Sequence, residues 1–226
     1  MDNNLKAVIF DLDGVITDTA EYHFLAWRNL AESLGISFTR DQNELLKGIS
    51  RMESLDLILE LGGKSLEYSD EEKIALAERK NENYLKLISN ITPKDILPGI
   101  KELLVELKGN DIKIGLASAS KNAFQVINSL ELNDYFDFIV NAANVKNGKP
   151  DPEIFRTAAD ILQVSYENCV GIEDAEAGVA AIKAANMFAI GIGSEEALKQ
   201  ADVIYKDTTE LTYAKIVDQF KNSTKI

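Results

Sequence analysis

Two aspartates one residue apart close an apolar run near the start of the chain, in "AVIFDLDGVITDT", Ala7 to Thr19. Carboxylates repel, and a buried unpaired one is costly, so Asp11 and Asp13 read as a pair with a task. A second acidic pair, Glu173 and Asp174, closes another apolar run, "CVGIE". Carboxylates gathered in one place need a cation to neutralise them. Hard oxygen ligands suit Mg²⁺, which takes a few carboxylates, keeps waters and accepts a substrate phosphate. A carboxylate can also attack phosphorus to form an aspartyl-phosphate, with a second one nearby as general acid and base. Gly14 would let the chain turn sharply beyond the first pair. Taken alone, D-x-D-G is also a common polar turn after a strand.

Hydroxyl and basic residues supply the complementary half. In "LASASKN", Ser118 ends an apolar run, and Ser120, Lys121 and Asn122 open a helical pattern. A hydroxyl beside the N–H groups of a helix start can cradle a phosphate, although Ser120 by itself reads as an ordinary N-cap. Lys149 sits in "NGKPDPE", a turn before a helix started by Pro152. By itself it reads as a solvated loop lysine.

These residues need elements that bring them together. "LKAVIF" reads as a buried strand: short, apolar and branched. From Ala20 to about Asn90 the pattern is helical. Ala20, Phe24, Trp27, Ala31 and Leu34 form a stripe that stops at Gly35, Met52 to Leu61 is a second helix, and Asp70 to about Ile88 a third, opened by "SDEE". After Pro98-Gly99 strands and helices alternate: helix 100–108, strand "IKIGLAS", helix 122–130, strand "FDFIV", helix 152–162, strand "CVGIE", helix 178–185, strand "FAIGIG", a further helix, a short strand "DVIY" and a terminal helix. Repeated strand–helix units predict a Rossmann-like parallel sheet with helices on both faces. The expected division is an α/β core of residues 1–16 and 98–226 with an inserted α-helical cap of residues 17–97. In such sheets ligands bind beyond the carboxyl ends of the strands, where Asp11, Asp13, Ser118, Lys149, Glu173 and Asp174 all fall.

The 226 residues carry 24 Lys and Arg against 37 Asp and Glu, a net charge of −13. Such a surface repels nucleic acid and anionic membranes. An anionic substrate therefore needs local positive charge at its site. The single cysteine, Cys169, excludes an intrachain disulfide and reads as a core strand residue. No signal pattern or bilayer-length apolar stretch is seen, so the expected place is the cytoplasm and the expected state a monomer.

Together, "FDLDGVITDT", "SAS", "GKPDPEIF" and "GIEDAEAGVAA" resemble the four ordered motifs of the haloacid dehalogenase superfamily. The resemblance implies that Asp11 is the nucleophile and Asp13 the general acid and base, whose backbone carbonyl binds Mg²⁺. It implies that Ser118 and Lys149 hold the phosphoryl oxygens and that Glu173 and Asp174 complete the metal site. One position departs from the pattern: Ala175 stands where serine is common, which puts a hydrogen bond around the metal site in doubt.

In the helical insertion, "DTAEYHFLAW", "LLKGISRMES" and "ERKNENY" are similar to sugar-phosphate mutases of the superfamily. His23, the sole histidine, lies one turn before Trp27 on the same helical face. The likeness implies that His23 bonds the acid/base aspartate when the cap closes and that Thr19 lies in the hinge. It also implies that Arg51 clamps the second phosphate, that Lys80 contacts the sugar, and that Trp27, Gly48, Ser50, Ser118, Ala119, Ser120, Lys121, Asn122 and Lys149 belong with them to the substrate-binding set. Each has a plainer reading: a structural histidine, a surface arginine, a solvated lysine. The implied reaction interconverts β-D-glucose 1-phosphate and glucose 6-phosphate through β-glucose 1,6-bisphosphate. The alternatives are a sugar-phosphate phosphatase using the same Asp11, Asp13 and Mg²⁺, and a non-enzymatic phospho-acceptor resembling a receiver domain.

Overall fold

The computed structural model describes residues 5–223. Its centre is a six-stranded, fully parallel sheet in the order β3-β2-β1-β4-β5-β6. The strands are β1 (Ala7–Phe10), β2 (Lys113–Leu116), β3 (Phe138–Ile139), β4 (Cys169–Glu173), β5 (Phe188–Ile192) and β6 (Val203–Tyr205). Period-two alternation sorts their side chains: Val8 and Phe10 of β1 join one apolar cluster, Ala7 and Ile9 the other. Helices α5 (Ile100–Gly109), α6 (Ala123–Ser129) and α9 (Tyr213–Ser223) cover the first face. Helices α7 (Glu153–Leu162) and α8 (Glu176–Ala184) cover the second. The chain leaves β1 towards β2 and β3 on one side, and returns to β4 on the other. The order therefore reverses between β1 and β4, which opens a crevice at their carboxyl ends.

Between β1 and α5 lie α1 (Ala20–Ser33), α2 (Arg40–Glu44), α3 (Arg51–Leu61) and α4 (Asp70–Leu87). Three of them open with reciprocal capping boxes, Thr39 with Gln42, Ser50 with Glu53 and Ser69 with Glu72. Phe24, Trp27, Leu30, Leu55, Ile58 and Leu59 bury a cluster of their own, while Ala26, Tyr84 and Ile88 extend the sheet's first cluster. The two chain crossings into and out of this helical block pair with each other. Leu97 N–H donates to Ile16 C=O at 2.9 Å, and Thr17 Oγ1 donates to Asp95 C=O at 2.6 Å.

Several elements differ from the sequence expectation. The helix expected before "DVIY" is absent: residues 195–200 form turns. Only ten residues separate Ile192 from Val203, too few for a helix plus two connections, and Leu198 instead tucks its side chain over Gly191. Strand "FDFIV" contributes only Phe138–Ile139, at the sheet edge. Helix α2 was not expected, because its five residues carry no apolar period. Among the described residues no helix is long and apolar enough to cross a membrane.

One glycine couples the fold to the crevice. A Cβ on Gly171, in the middle of β4, would lie 2.6 Å from Ile182 Cγ1 and 2.7 Å from its Cδ1, so α8 packs directly on strand backbone. Gly171→Ala is expected to lift α8 and cost about 1–3 kcal/mol as overpacking. A lowered urea midpoint with an unchanged slope checks this.

Candidate active site

Asp11 follows the last residue of β1 and Glu173 ends β4, side by side through the parallel register that pairs Phe10 with Ile172. The loop between β3 and α7 delivers Lys149 into the gap between them. Its Nζ donates to Asp11 Oδ1 at 2.6 Å and to Glu173 Oε1 at 2.6 Å, with all three side chains buried. Phe155 underlies the ammonium, 5.0 Å from ring centroid to Nζ. Burial alone would drive the ammonium to neutrality. The two carboxylates reverse this and raise its pKa above the ordinary lysine range. The other oxygen of Glu173 accepts the N–H groups of Asp174 (2.7 Å) and Ala175 (2.8 Å). Gly178, in the first turn of α8, leaves room for this carboxylate, since a Cβ there would overlap it.

The negative charge gathered here exceeds what Lys149 offsets. One carboxylate oxygen each from Asp11, Glu173 and Asp174 lie within 4.8 Å of one another. Burial, with the neighbouring Glu173 and Asp11 charges, holds Asp174 well above the usual carboxylate range. Burial raises Asp11 to about 6, against the pull of Lys149. Gly14, at φ +80°, brings its backbone so close to Asp174 that a Cβ would overlap the carboxylate. A desolvated, all-oxygen cradle with surplus negative charge fits a hard divalent cation. The Asp13 side chain stands outside that cluster.

Asp13 turns towards the helical block. Its Oδ1 accepts the Thr19 hydroxyl proton, and His23 Nε2, which has no closer partner, lies 3.9 Å away. Burial first, then the Asp11 charge, raises Asp13 to about 8, so it holds a proton at neutral pH. His23 Nδ1 meets Lys80 Nζ at 2.8 Å. Burial, with the Lys80 and Arg51 charges, holds the imidazole well below its ordinary range, hence neutral. When Lys80 carries its proton it can only donate, so Nδ1 then accepts and the ring proton sits on Nε2, facing Asp13. Lys80 is itself buried, packed over Trp27 and Tyr84, and burial lowers it to about 7.

A cleft lies between helical block and sheet. Asp11, Asp13, His23, Trp27, Gly48, Arg51, Lys80, Ala119, Ser120, Lys121, Asn122 and Asp174 all line it. Thr19, Ser118, Lys149 and Glu173 stand behind that lining as buried supports. Ser118 Oγ accepts the Ser120 N–H at 3.1 Å, and Ser120 Oγ the Asn122 N–H at 3.2 Å, which curls "SASKN" into a set of polar groups facing the cleft. Ser50 lines instead a neighbouring opening between α3 and the loop that carries Lys149. Sequence reasoning missed Lys47 and Asn43, which also line the cleft, and Asn81, which joins Arg51 to Asn122. Lys47 faces Asp174 across the cleft, where its positive charge favours the carboxylate. Only the run "LLKGIS" hinted at it.

Comparison with known proteins agrees with this arrangement. Residues 5–186 match the family model described as haloacid dehalogenase-like hydrolase. The chain is 55% identical over 208 residues to the β-phosphoglucomutase of Bacillus subtilis, covering 92% of each. It is 36% identical to a phosphorylated carbohydrates phosphatase of Thermotoga maritima, covering 81% of this chain and 82% of that one. Among solved structures, the β-phosphoglucomutase of Clostridium difficile superposes with a TM-score of 0.96 at 54% identity, over 97% of this chain and 99% of that one. With its acidic strand ends, its buried lysine and the matched length, the chain belongs to the haloacid dehalogenase-like hydrolase family.

Proposed function

We propose that the chain is a β-phosphoglucomutase, an isomerase that interconverts β-D-glucose 1-phosphate and glucose 6-phosphate, working through β-glucose 1,6-bisphosphate. The observation that carries this reading is the likeness to the two β-phosphoglucomutases, which runs through helical block and sheet alike. The greater distance from the carbohydrate phosphatase leaves the phosphatase alternative unfavoured.

Asp11 is the nucleophile. Its Oδ1 is held by Lys149 and its Oδ2 accepts the Asp13 N–H at 3.0 Å, so the carboxylate is oriented before substrate arrives. An Asp11 oxygen forms the bond to phosphorus as the sugar oxygen leaves, and Asp13 gives that oxygen its proton. In the other half-reaction Asp13 takes the proton of the attacking sugar hydroxyl while the phosphoryl group leaves Asp11. The bisphosphate turns over between the halves, so no water is consumed. A group that must give and take protons works best with a pKa near the working pH, which the burial of Asp13 supplies. Asp11, Glu173 and Asp174, with the Asp13 backbone carbonyl, would hold Mg²⁺, which when bound offsets the charge on the transferring phosphoryl oxygens.

Residues 17–97 act as the cap, with core residues 1–16 and 98–226 beneath. Thr19 and His23 hold Asp13 in place from the cap side and help exclude water. Ser118 and Lys149 serve the reacting phosphate, and Arg51, Ser120, Lys121 and Asn122 the distal one. Trp27, Gly48, Lys80 and Ala119 shape the sugar site, and Ser50 caps the helix that Arg51 opens. We assign a monomer, and we place it in the cytoplasm.

Protein incubated with Mg²⁺, β-glucose 1-phosphate and a trace of the bisphosphate is expected to form glucose 6-phosphate without matching free phosphate. Asp11→Asn is expected to be silent in both assays; free phosphate in step with substrate loss would overturn the mutase reading. His23→Asn is expected to raise the share of phosphoryl groups that end in water, measured as the ratio of phosphate to glucose 6-phosphate. Mg²⁺ affinity is expected to depend on pH. In metal-free protein the raised carboxylates make the folded state bind more protons than the unfolded one between about pH 4 and pH 8, so stability falls as pH rises through that window. Mg²⁺ needs its carboxylate ligands ionised, and Asp11 and Asp174 are both held above the usual carboxylate range. Its stabilisation, about 2.7 kcal/mol at a hundredfold excess over Kd, is thus expected near pH 8 and to fade towards pH 5, read as the shift in Tm on adding the ion.

A further inference from the structure

Asn81 projects from the middle of α4 into the seam between cap and core, and neither half-reaction derived above uses it. Its Oδ1 accepts two hydrogen bonds: one from Arg51 Nη2 at 2.9 Å, at the first residue of α3, and one from Asn122 Nδ2 at 2.8 Å, in the core loop. A single carbonyl oxygen thus joins two cap helices to the core loop that faces the same cleft.

The chemistry of that acceptor matters. An amide carbonyl orients a guanidinium without adding charge, whereas a carboxylate in the same place would form a bidentate ion pair and compete with any phosphate. Arg51 is partly desolvated, and Glu78 already lies near enough to influence it. A second acid here would cancel the positive charge that an anionic substrate requires in a chain of net charge −13. We propose that Asn81 is a positioning residue for the distal phosphate clamp. It holds the Arg51 guanidinium and the Asn122 amide convergent across the cap–core seam and leaves the arginine charge free for the phosphate. This rests on the mutase reading, since only a substrate that engages Asp11 at one end and a phosphate pocket at the other uses the clamp.

The test compares Asn81→Asp and Asn81→Ala with wild type in two assays. The first is steady-state conversion of β-glucose 1-phosphate. The second is phosphorylation of Asp11 by acetyl phosphate, a small donor with no second phosphate, followed by intact-protein mass spectrometry. Asn81→Asp is expected to raise KM for β-glucose 1-phosphate about tenfold or more with kcat within about twofold, and to lower the preference for the sugar phosphate over acetyl phosphate by a similar factor. Asn81→Ala, which loses orientation but adds no charge, is expected to raise KM by less. Equal losses in both assays, or alanine as harmful as aspartate, would mean a merely structural residue and overturn the proposal. So would an unchanged KM in Asn81→Asp. Wild-type protein that forms no glucose 6-phosphate would sink the mutase reading instead, an outcome separate from any ranking of the variants.

Discussion

The ammonium of Lys149, 2.6 Å from both Asp11 and Glu173 and closed off from solvent, holds the remaining parts of the site in register. Two carboxylates at adjacent strand ends repel each other, and burial makes the repulsion stronger. The lysine turns it into attraction, and removing one member of such a buried set typically costs about 3–5 kcal/mol because the survivors are left uncompensated. Its placement follows from topology. The sheet sets those strand ends side by side where its order reverses between β1 and β4, and the loop preceding α7 reaches the gap. Once Lys149 is fixed, Asp11 has one orientation, Glu173 can accept the two N–H groups that follow it, and Asp174 is aimed at the backbone of Gly14.

The cap side of the cleft works by a different balance. There the cation is the weak partner, because burial over two aromatic rings leaves Lys80 near neutrality. It faces a histidine that is also neutral, and the histidine faces an aspartate that retains its proton. Lys80, His23 and Asp13 follow one another at 2.8 and 3.9 Å, whereas Lys149 is bonded to a carboxylate on each side. The first arrangement suits proton movement, the second the anchoring of a phosphoryl group. One cleft thus has a fixed wall and a responsive wall.

Much of this was legible in the chain. Asp11, Asp13, Ser118, Lys149, Glu173 and Asp174 all stand where apolar runs stop, and a parallel sheet gathers strand ends along one edge. The alternation of Val8 and Phe10 with Ala7 and Ile9 was too short to assign faces, yet its continuous apolar character marked a strand buried on both sides. What stayed hidden depends on contacts distant in sequence. Asn81 sits in a charged helix beside several similar residues, and only the approach of α3 and the 118–122 loop singles it out. Lys47 is singled out in the same way, only by facing Asp174 across the cleft. The expected helix before β6 failed because local propensity in "SEEALKQ" yields to the ten-residue span that the segment has to cross.

The pairing of the two crossings, Leu97 with Ile16 and Thr17 with Asp95, has a consequence for how such a molecule can change over time. An insertion whose ends are stapled together leaves the strand order undisturbed, provided that Ala26, Tyr84 and Ile88 still complete the sheet's first cluster. The helical block is therefore a replaceable module: its length, charge and contour can drift or be exchanged while the strand order and the buried lysine triad stay as they are. Selection for a new substrate can then act on the helical block and the 119–122 loop that faces it, while the reacting centre is inherited unchanged.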